Sequence, residues 1–380
     1  MIILIVGGTW NRQFNHNTDS YGKPSSLVKQ LSETIAKENI IVDVYNGGRY
    51  DKLEEIIESA YGYDVVFWWA NVDNSLPKIR NVKEIAPHTL LVNSKRDDED
   101  KYSFQELIQR SLSVKANLTW KFKKIADKMF EMTIFDPLGS VWYQGSDFNE
   151  AVLVCMKRLA FLKSVRRQST VKSDINKSDI KVPDEQDFVD TVRKYATEFQ
   201  KFMGAGIETK RFVGNASLRP IKFSDSRCGK GMPSFRKDNL IFMSKRNIDK
   251  QFITLDNFVP VYLDNDKLMY CGDDKPSVDT PVQIRLYKAF PQINYMLHSH
   301  CYIKDAPFTK QAVPCGAIEE ADAVISALAS AKIYTELPEY FAVNLIGHGS
   351  IIMWNNMEQF HNEIEPTLEY YKRDMPEKMM

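Results

Sequence analysis

Residues 2–8 read IILIVGG. Five apolar residues in a row, closed by two glycines, fit a strand buried on both faces, because a half-solvated strand alternates polar and apolar positions. The pattern returns in IIVDVY at 40–45, DVVFWWA at 64–70 and TLLVNS at 89–94. Helical patterns fall between them, one over 24–37 opened by Pro24-Ser25-Ser26 and one starting with DKLEEIIESA at 51. Strand, helix and strand in repetition predict a parallel sheet with helices on both faces. The expected fold class is α/β, with a Rossmann- or flavodoxin-like N-terminal domain.

Ligands of such sheets bind beyond the carboxyl ends of the strands. The segment after strand one, GGTWNRQFNHNTDSYGKPS at 7–25, is long, polar and aromatic. It offers Thr9, Asn11, Arg12, His16, Asn17 and Asp19. It is neither G-x-G-x-x-G nor a P-loop, so no named phosphate cradle is present. A loop of this length points to a nucleotide or sugar ligand. The competing reading is a structural or interface domain with one decorated loop. Further on, Asp136-Pro137-Leu138-Gly139 predicts the turn of a hairpin, and 148–163 a helix. The stretch SVRRQSTVKSDINKSDIKVPDE at 164–185 has few large apolar groups and reads as a linker. The expected organisation is a parallel α/β domain over 1–165, a linker over 166–183 and a second domain over 184–380.

The length of 380 residues agrees with two domains. Lys and Arg number 50, as do Asp and Glu, so the net charge is zero. A protein held to nucleic acid by a broad electrostatic footprint shows a basic excess, and none is present. No apolar run reaches the roughly 18–20 residues of a membrane-spanning helix. The apolar N-terminus lacks the positive flank of a secretory signal and reads as a strand. Cysteines 155, 228, 271, 301 and 315 are odd in number and scattered. They argue against a disulfide framework and for a reducing, cytoplasmic setting.

The second half opens with a helix over 184–203, where Phe188, Val192, Tyr195 and Phe199 fall at helical spacing. Short strands follow around GNASLRP, NLIFMS, FVPVYL and KLMYCG, then a helix in VQIRLYKAF. Next comes INYMLHSHC at 293–301. On a strand, His298 and His300 point to one face and can reach one ion. Another apolar strand ends at Gly347-His348-Gly349. Three of the six histidines therefore fall in two places, and an open zinc site needs about three protein ligands. Cys301 would face the opposite side of its strand, toward the core. Cys315 lies in the loop before a helix beginning near Ile318 and reads as a loop residue away from the metal pocket, with an approach to it as the lesser alternative. Lys304 and Asp305, just past the H-x-H strand, are candidates to line it. His88 and His361 read as a loop residue and a surface residue.

The segment 185–370 resembles the class II aldolase/adducin family, whose members include fuculose-phosphate aldolase and ribulose-phosphate 4-epimerase. Four segments carry the resemblance in family order. Gly214-Asn215-Ala216-Ser217-Leu218-Arg219 is similar to the family's G-N-x-S-x-R. Ser244-Lys245-Arg246-Asn247 stands where the family has a T-P-S/T-G turn. Lys275-Pro276-Ser277-Val278-Asp279 is similar to P-S-S-E, and it is followed by Tyr287, Pro291 and His298-Ser299-His300. Gly347-His348-Gly349 is similar to the family's H-G.

The resemblance implies an α/β domain with a mostly antiparallel sheet between helices. It implies zinc, or another divalent transition metal, on His298, His300 and His348. Asp279 takes the place of the general acid/base glutamate, one methylene shorter. Carried over position by position, the family's phosphate site falls on Asn215, Ser244, Asn247 and Ser277. Val278 removes one hydroxyl from it. Asn247 replaces the glycine of the turn, while Lys245 and Arg246 bring charge to it. The implied activity is that of a lyase, a zinc-dependent aldolase cleaving a carbon–carbon bond of a phosphorylated or otherwise anionic sugar. A metal ion polarises the carbonyl and stabilises the enediolate, and a carboxylate moves the proton. A homotetramer with sites at subunit interfaces is implied as well, with no nucleic-acid or membrane partner. Three other readings are a sugar-phosphate epimerase of the same family, a bifunctional enzyme with a nucleotide- or nucleoside-acting N-domain, and an adducin-like assembly protein. Adducin head domains lack the metal residues, which this chain keeps. Tyr370 and Tyr371 lie near the C-terminus, where family aldolases use a tyrosine, and neither aligns with it.

Overall fold

The runs IILIV, VVFWW and TLLV become neighbouring parallel strands because each has apolar side chains for two faces. A computed structural model describes residues 2–11, 22–37, 40–72, 79–127, 129–180, 182–202, 214–220, 240–331, 340–371 and 377–378. The chain divides into two compact units, Met1–Arg166 with Met375–Met379, and Arg167–Asp374 with Met380.

The first unit runs β1 (Ile2–Asn11), α1 (Ser26–Ala36), β2 (Ile41–Arg49), α2 (Tyr50–Ser59), β3 (Val65–Val72), α3 (Ile79–Ile85), β4 (Thr89–Arg96), α4 (Phe104–Ser113), β5 (Leu118–Ala126), β6 (Met129–Phe135), β7 (Ser140–Gly145) and α5 (Phe148–Arg167). The first five strands lie in the order β2-β1-β3-β4-β5 and pair in parallel. This is the doubly wound order of flavodoxin-like sheets, whose switch point lies between β1 and β3. The expected hairpin is present, with β6 antiparallel to both β5 and β7. Residues Glu377–Lys378 add to β7 in parallel.

Alternate residues feed two cores. Ile3, Ile5, Phe67, Trp69 and Trp120 pack with α1 and α5, while Leu4, Val6, Val66 and Trp68 pack with α2 and α3. Ser25 caps α1, and Ser103 with Glu106 forms a capping box on α4. Strand β1 runs further than the sequence predicts. Gly7 to Asn11 continue it, because β2 and β3 supply partners on both sides and Trp10 is buried, donating from Nε1 to Gly7 O at 2.8 Å. Thr9 and Asn11 thus belong to the strand end. Arg12, His16, Asn17 and Asp19 lie outside the described residues.

The second unit runs β8 (Val171–Lys172), α6 (Gln186–Phe202), β9 (Asn215–Leu218), β10 (Leu240–Ser244), β11 (Phe258–Asp264), β12 (Lys267–Tyr270), α7 (Thr280–Ala289), β13 (Tyr295–Ser299), β14 (Tyr302–Ile303), α8 (Glu319–Ser330), β15 (Tyr340–Leu345), β16 (Gly349–Trp354) and β17 (Tyr370–Tyr371). Its main sheet has the order β15-β16-β13-β9-β10-β11-β12-β8, antiparallel throughout except for the parallel edge pair β12–β8. Phe188, Val192, Tyr195 and Phe199 of α6 cover one face, and α7 and α8 cover the other. Cys301 is buried in the α6-side core. The 166–183 stretch, expected as a linker, is in part packed into this unit. β8 pairs with β12, Ser173 N donates to Tyr270 O at 2.9 Å, and Ile180 is buried. Few apolar residues suffice there, because a two-residue edge strand needs only backbone partners on one side. Among the described residues no helix is long and apolar enough to cross a membrane.

Candidate active site

Strand β13 lies between β16 and β9. Its alternation sends Tyr295 and Leu297 to the α6 side and Met296 to the α7/α8 side. A period of two puts His298 and His300 on the side of Met296. His348 arrives through the tight turn that joins β15 to β16, which pairs Ser350 with Ser299. Gly349 makes this approach possible, since a Cβ there would lie 1.9 Å from Ser299 O. The Tyr302 hydroxyl accepts from Gly347 N at 2.9 Å and ties the same turn to the segment after His300. The three imidazole centroids are 4.7–5.1 Å apart. Each ring offers a nitrogen, and these nitrogens all lie within 4.8 Å of one another.

The outward-facing nitrogens are fixed by hydrogen bonds. His298 Nδ1 donates to Ser350 O at 3.0 Å, which leaves Nε2 with its lone pair. That Nε2 is buried and has no hydrogen-bond partner. Burial, aided by neighbouring His348, pulls the His298 pKa down to about 4 despite Asp279, so the ring is neutral at pH 7. His348 Nδ1 meets Glu320 Oε1 at 2.5 Å, with both side chains at most 3% exposed. Burial pushes the Glu320 carboxyl up, and His348 pulls it back. A carboxylate or carbonyl on the far nitrogen is how metal-ligating histidines are held. An orphaned buried ring nitrogen within a three-imidazole set fits a divalent ion such as zinc.

Asp279 caps the α7 N-terminus, and Glu320 sits in the first turn of α8. Both helix starts thus bring a carboxylate to the histidine side of the sheet. Asp279 is buried, and each of its oxygens accepts one hydrogen bond: Oδ2 from Asn215 Nδ2 at 2.6 Å and Oδ1 from Cys315 Sγ at 2.9 Å. The Asn215 amide is engaged on its other side too, because Oδ1 accepts from Gln283 Nε2. Gln283 Oε1 accepts from Ser217 Oγ, which also meets Tyr287 Oη at 3.1 Å. Arg219 donates to Tyr287 O at 2.5 Å and Pro291 O at 2.8 Å. The G-N-x-S-x-R segment is therefore one continuous buried network ending on Asp279.

The Ser244–Asn247 turn packs beside Pro276 and Ser277. Ser277 N donates to Ser244 O at 3.1 Å, and Arg246 N to Lys275 O at 2.9 Å. Ser244 is buried, with Oγ accepting from Ala216 N at 3.1 Å. Asn247 has φ +58, so it takes the left-handed conformation that a glycine would adopt there. Asn tolerates that region better than most residues, which keeps the turn without glycine. The two basic residues diverge. Lys245 Nζ pairs with Asp274 at 2.6 Å near solvent. Arg246 is exposed, donates from Nε to Pro276 O at 3.2 Å and acts electrostatically on Cys315 and Asp279. Ser277 is half-buried, its Oγ 3.4 Å from Asp279 N, and Val278 is exposed beside it.

Lys304, expected to line the pocket, instead pairs with Glu369 at 2.7 Å in solvent, and Asp305 beside it is exposed. His361 bonds Glu365 and Asp187, and His88 Nε2 meets Tyr63 O at 2.7 Å. Cys315, read from the sequence mainly as lying off the pocket, instead reaches the site through Asp279. Two site residues escape the sequence reading. Glu320 shares a helical face with Val324 and Leu328, which are buried, and a carboxylate on that stripe was the available signal. Lys250, buried three residues after the Ser244–Asn247 turn, has no motif around it.

Residues 199–304 match the family profile described as Class II Aldolase and Adducin N-terminal domain. The chain is similar to an L-fuculose 1-phosphate aldolase at 16% identity, covering 49% of this chain and 83% of that one, with a TM-score of 0.31. It is similar to the L-fuculose-1-phosphate aldolase of Thermus thermophilus at 17% identity, over 45% and 81% of the two chains, TM-score 0.29. It is also similar to the DNA/pantothenate metabolism flavoprotein of Streptococcus pneumoniae at 13% identity, over 43% and 98%, TM-score 0.35. The profile match spans Asp279, His298 and His300, and by it the C-terminal half resembles the class II aldolase/adducin family.

Proposed function

We propose that the C-terminal half is a divalent-metal-dependent aldolase that cleaves a carbon–carbon bond of a phosphorylated or otherwise anionic sugar. The observation that supports this most is the convergence of three imidazole nitrogens within 4.8 Å, in the electrostatic reach of a buried carboxylate. His298, His300 and His348 would hold the ion. Bound there, it would supply Lewis acidity for a carbonyl oxygen and charge for the enediolate left when the bond breaks. Asp279 would move the proton. Its two oxygens are held by Asn215 and Cys315, which makes Asn215 a positioning residue for Asp279. Arg246, Asn247 and Ser277, on the accessible side of Asp279, would meet the substrate's anionic end, with Ser244 shaping the turn behind them.

Zinc is the favoured ion, because three imidazoles suit it. The reading includes a homotetramer in the cytoplasm, with residues 184–380 as the metal domain and 1–165 as a separate ligand-binding domain. Elution as a monomer at micromolar concentration would remove the tetramer. The decisive experiment is elemental mass spectrometry on wild type and His300→Ala, followed by a cleavage screen with sugar phosphates. About one ion per chain, lost in the variant, together with cleavage in the wild type, is expected. No ion after reconstitution with zinc and manganese would overturn the proposal.

A further inference from the structure

Lys250 is a buried charge that the proposal above does not use. It opens the 3₁₀ turn Lys250–Phe252, behind the Ser244–Asn247 turn, with Asp249 as N-cap accepting from Gln251 N at 3.0 Å. Its relative exposure is 8%. Among the described residues its ammonium makes one hydrogen bond, Nζ donating to Ile248 O at 3.2 Å, and no ion pair. An ammonium carries three donors, and burying one without a carboxylate partner is costly. Lys245, five positions earlier, has its carboxylate, Asp274, and sits near solvent. Lys250 instead acts electrostatically on Asp279 and on His298. Burial draws its pKa down to about 8, against the pull of Asp279 and Asp249, so it is mostly protonated at pH 7.

We propose that the Lys250 ammonium binds an oxyanion of the substrate, a phosphate or a carboxylate, inside the pocket formed with Asp279 and the three histidines. Two N–H donors remain for that oxyanion, and a compact ammonium suits a phosphate or carboxylate oxygen. The contact is a binding one and moves no proton. It completes the anion site from within, while Arg246 faces the same anion from the exposed side. The inference rests on the reading that this pocket takes an anionic sugar, and it names the residue that would recognise the anion.

The test uses the full-length protein, reconstituted with zinc, and titrates inorganic phosphate by calorimetry at pH 7. Acetate serves as the second probe, and metal content is measured on the same samples. Wild type is expected to bind phosphate, and Lys250→Met to bind it at least about tenfold more weakly with metal content unchanged. The melting temperature of the variant should hold or rise, since an unpaired buried charge is removed. Lys250→Gln, which keeps a donor for Ile248 O and drops the charge, should show the same loss if the methionine variant folds poorly. If acetate binds in place of phosphate with the same dependence on Lys250, the anion is a carboxylate. Equal affinities in wild type and both variants would overturn the assignment, as would binding of neither anion by wild type. The His300→Ala protein separates this inference from its foundation. Loss of metal there with Lys250-dependent anion binding retained supports the anion site on its own. Absence of metal from wild type overturns the aldolase reading and leaves the anion titration to judge Lys250.

Discussion

The two sheets are layered alike and differ in what they bury. Each is covered by helices on both faces, yet the first buries mainly aliphatic and aromatic side chains, with Asp97, Asp136, His88 and Arg158 among them, while the second buries a hydrogen-bonded chain of polar and ionisable groups. In the first unit the buried acids hold turns, taking backbone amides together with one side chain each, Lys121 for Asp97 and Trp142 for Asp136. Asp97 accepts from Lys101 N at 2.8 Å, and Asp136 accepts from Leu138 N at 2.9 Å and Trp142 Nε1 at 3.0 Å. In the second, Asp279, Glu320, His298 and His348 are buried within electrostatic reach of one another, and the buried Lys250, whose turn packs on α6, acts on Asp279 and His298 from a distance. Buried polar groups are costly unless fully bonded, so a cluster of them, with His298 Nε2 left unbonded, is what singles out the proposed site. The lesson is that two α/β units of similar layering can be told apart by what their interiors tolerate.

The sharpest way to break this contrast is His298→Ala. It should reduce bound metal from about one ion per chain to near zero, read by elemental mass spectrometry. Retention of the ion would return the second interior to the status of the first. Next, Asp279→Asn should lower turnover by roughly 10²–10⁴-fold with metal retained, the usual size of a general acid/base contribution. Unchanged turnover would take proton transfer away from Asp279. In the first sheet, Phe67→Ala should cost about 3–5 kcal/mol in urea unfolding and leave metal content alone, because Phe67 is fully buried among apolar neighbours. A fall in metal content there would mean that the two interiors are not independent.

Glu320→Gln should weaken metal binding by roughly 10–100-fold in a chelator competition, the range for a lost carboxylate behind a histidine ligand. The smallest effect concerns His361. Burial alone would lower its pKa, but hydrogen bonds to Glu365 and Asp187 raise it above 6.5. A raised folded-state value means stability that is present in full below the unfolded pKa and is lost as pH climbs through the folded one. The loss between mildly acidic and alkaline pH should stay under about 1 kcal/mol, because the side chain is partly exposed and screened. His361→Gln should flatten that part of the stability profile, and a variant with an unchanged profile would remove the pair from the account.

Much of this was legible beforehand, for physical reasons that differ by element. Continuous apolar runs such as VVFWW announce doubly covered strands, and a two-residue spacing places His298 and His300 on one side. The strand order β2-β1-β3-β4-β5 was not legible, because pairing partners leave no mark in a single strand. Nor was the packing of 166–183, where backbone bonding to β12 replaces side-chain burial. Glu320 was passed over beside Glu319, although its four-residue spacing to Val324 and Leu328 marks it as the acid the helix turns inward. Lys250 was hidden because burial of a lysine depends on distant strands closing over it. Nor does the sequence say that Asn247, which replaces the family's glycine, keeps the left-handed backbone of that turn.

The tether from Tyr302 to Gly347 bears on when the proposed ion site comes into being. His298 and His348 are fifty positions apart, and closing such a loop has an entropic cost that metal binding meets in small zinc modules. Here the β13–β16 pairing, the Gly349 approach and the Tyr302 hydroxyl meet it during folding. Protein contacts alone are enough to gather the three rings, so under the metal-site proposal the metal-free chain would be a preorganised receptor rather than an unfolded precursor. A chelator should then remove the ion and leave a cooperatively folded chain, whose melting point falls only by the amount that mass-action linkage to the free metal dictates.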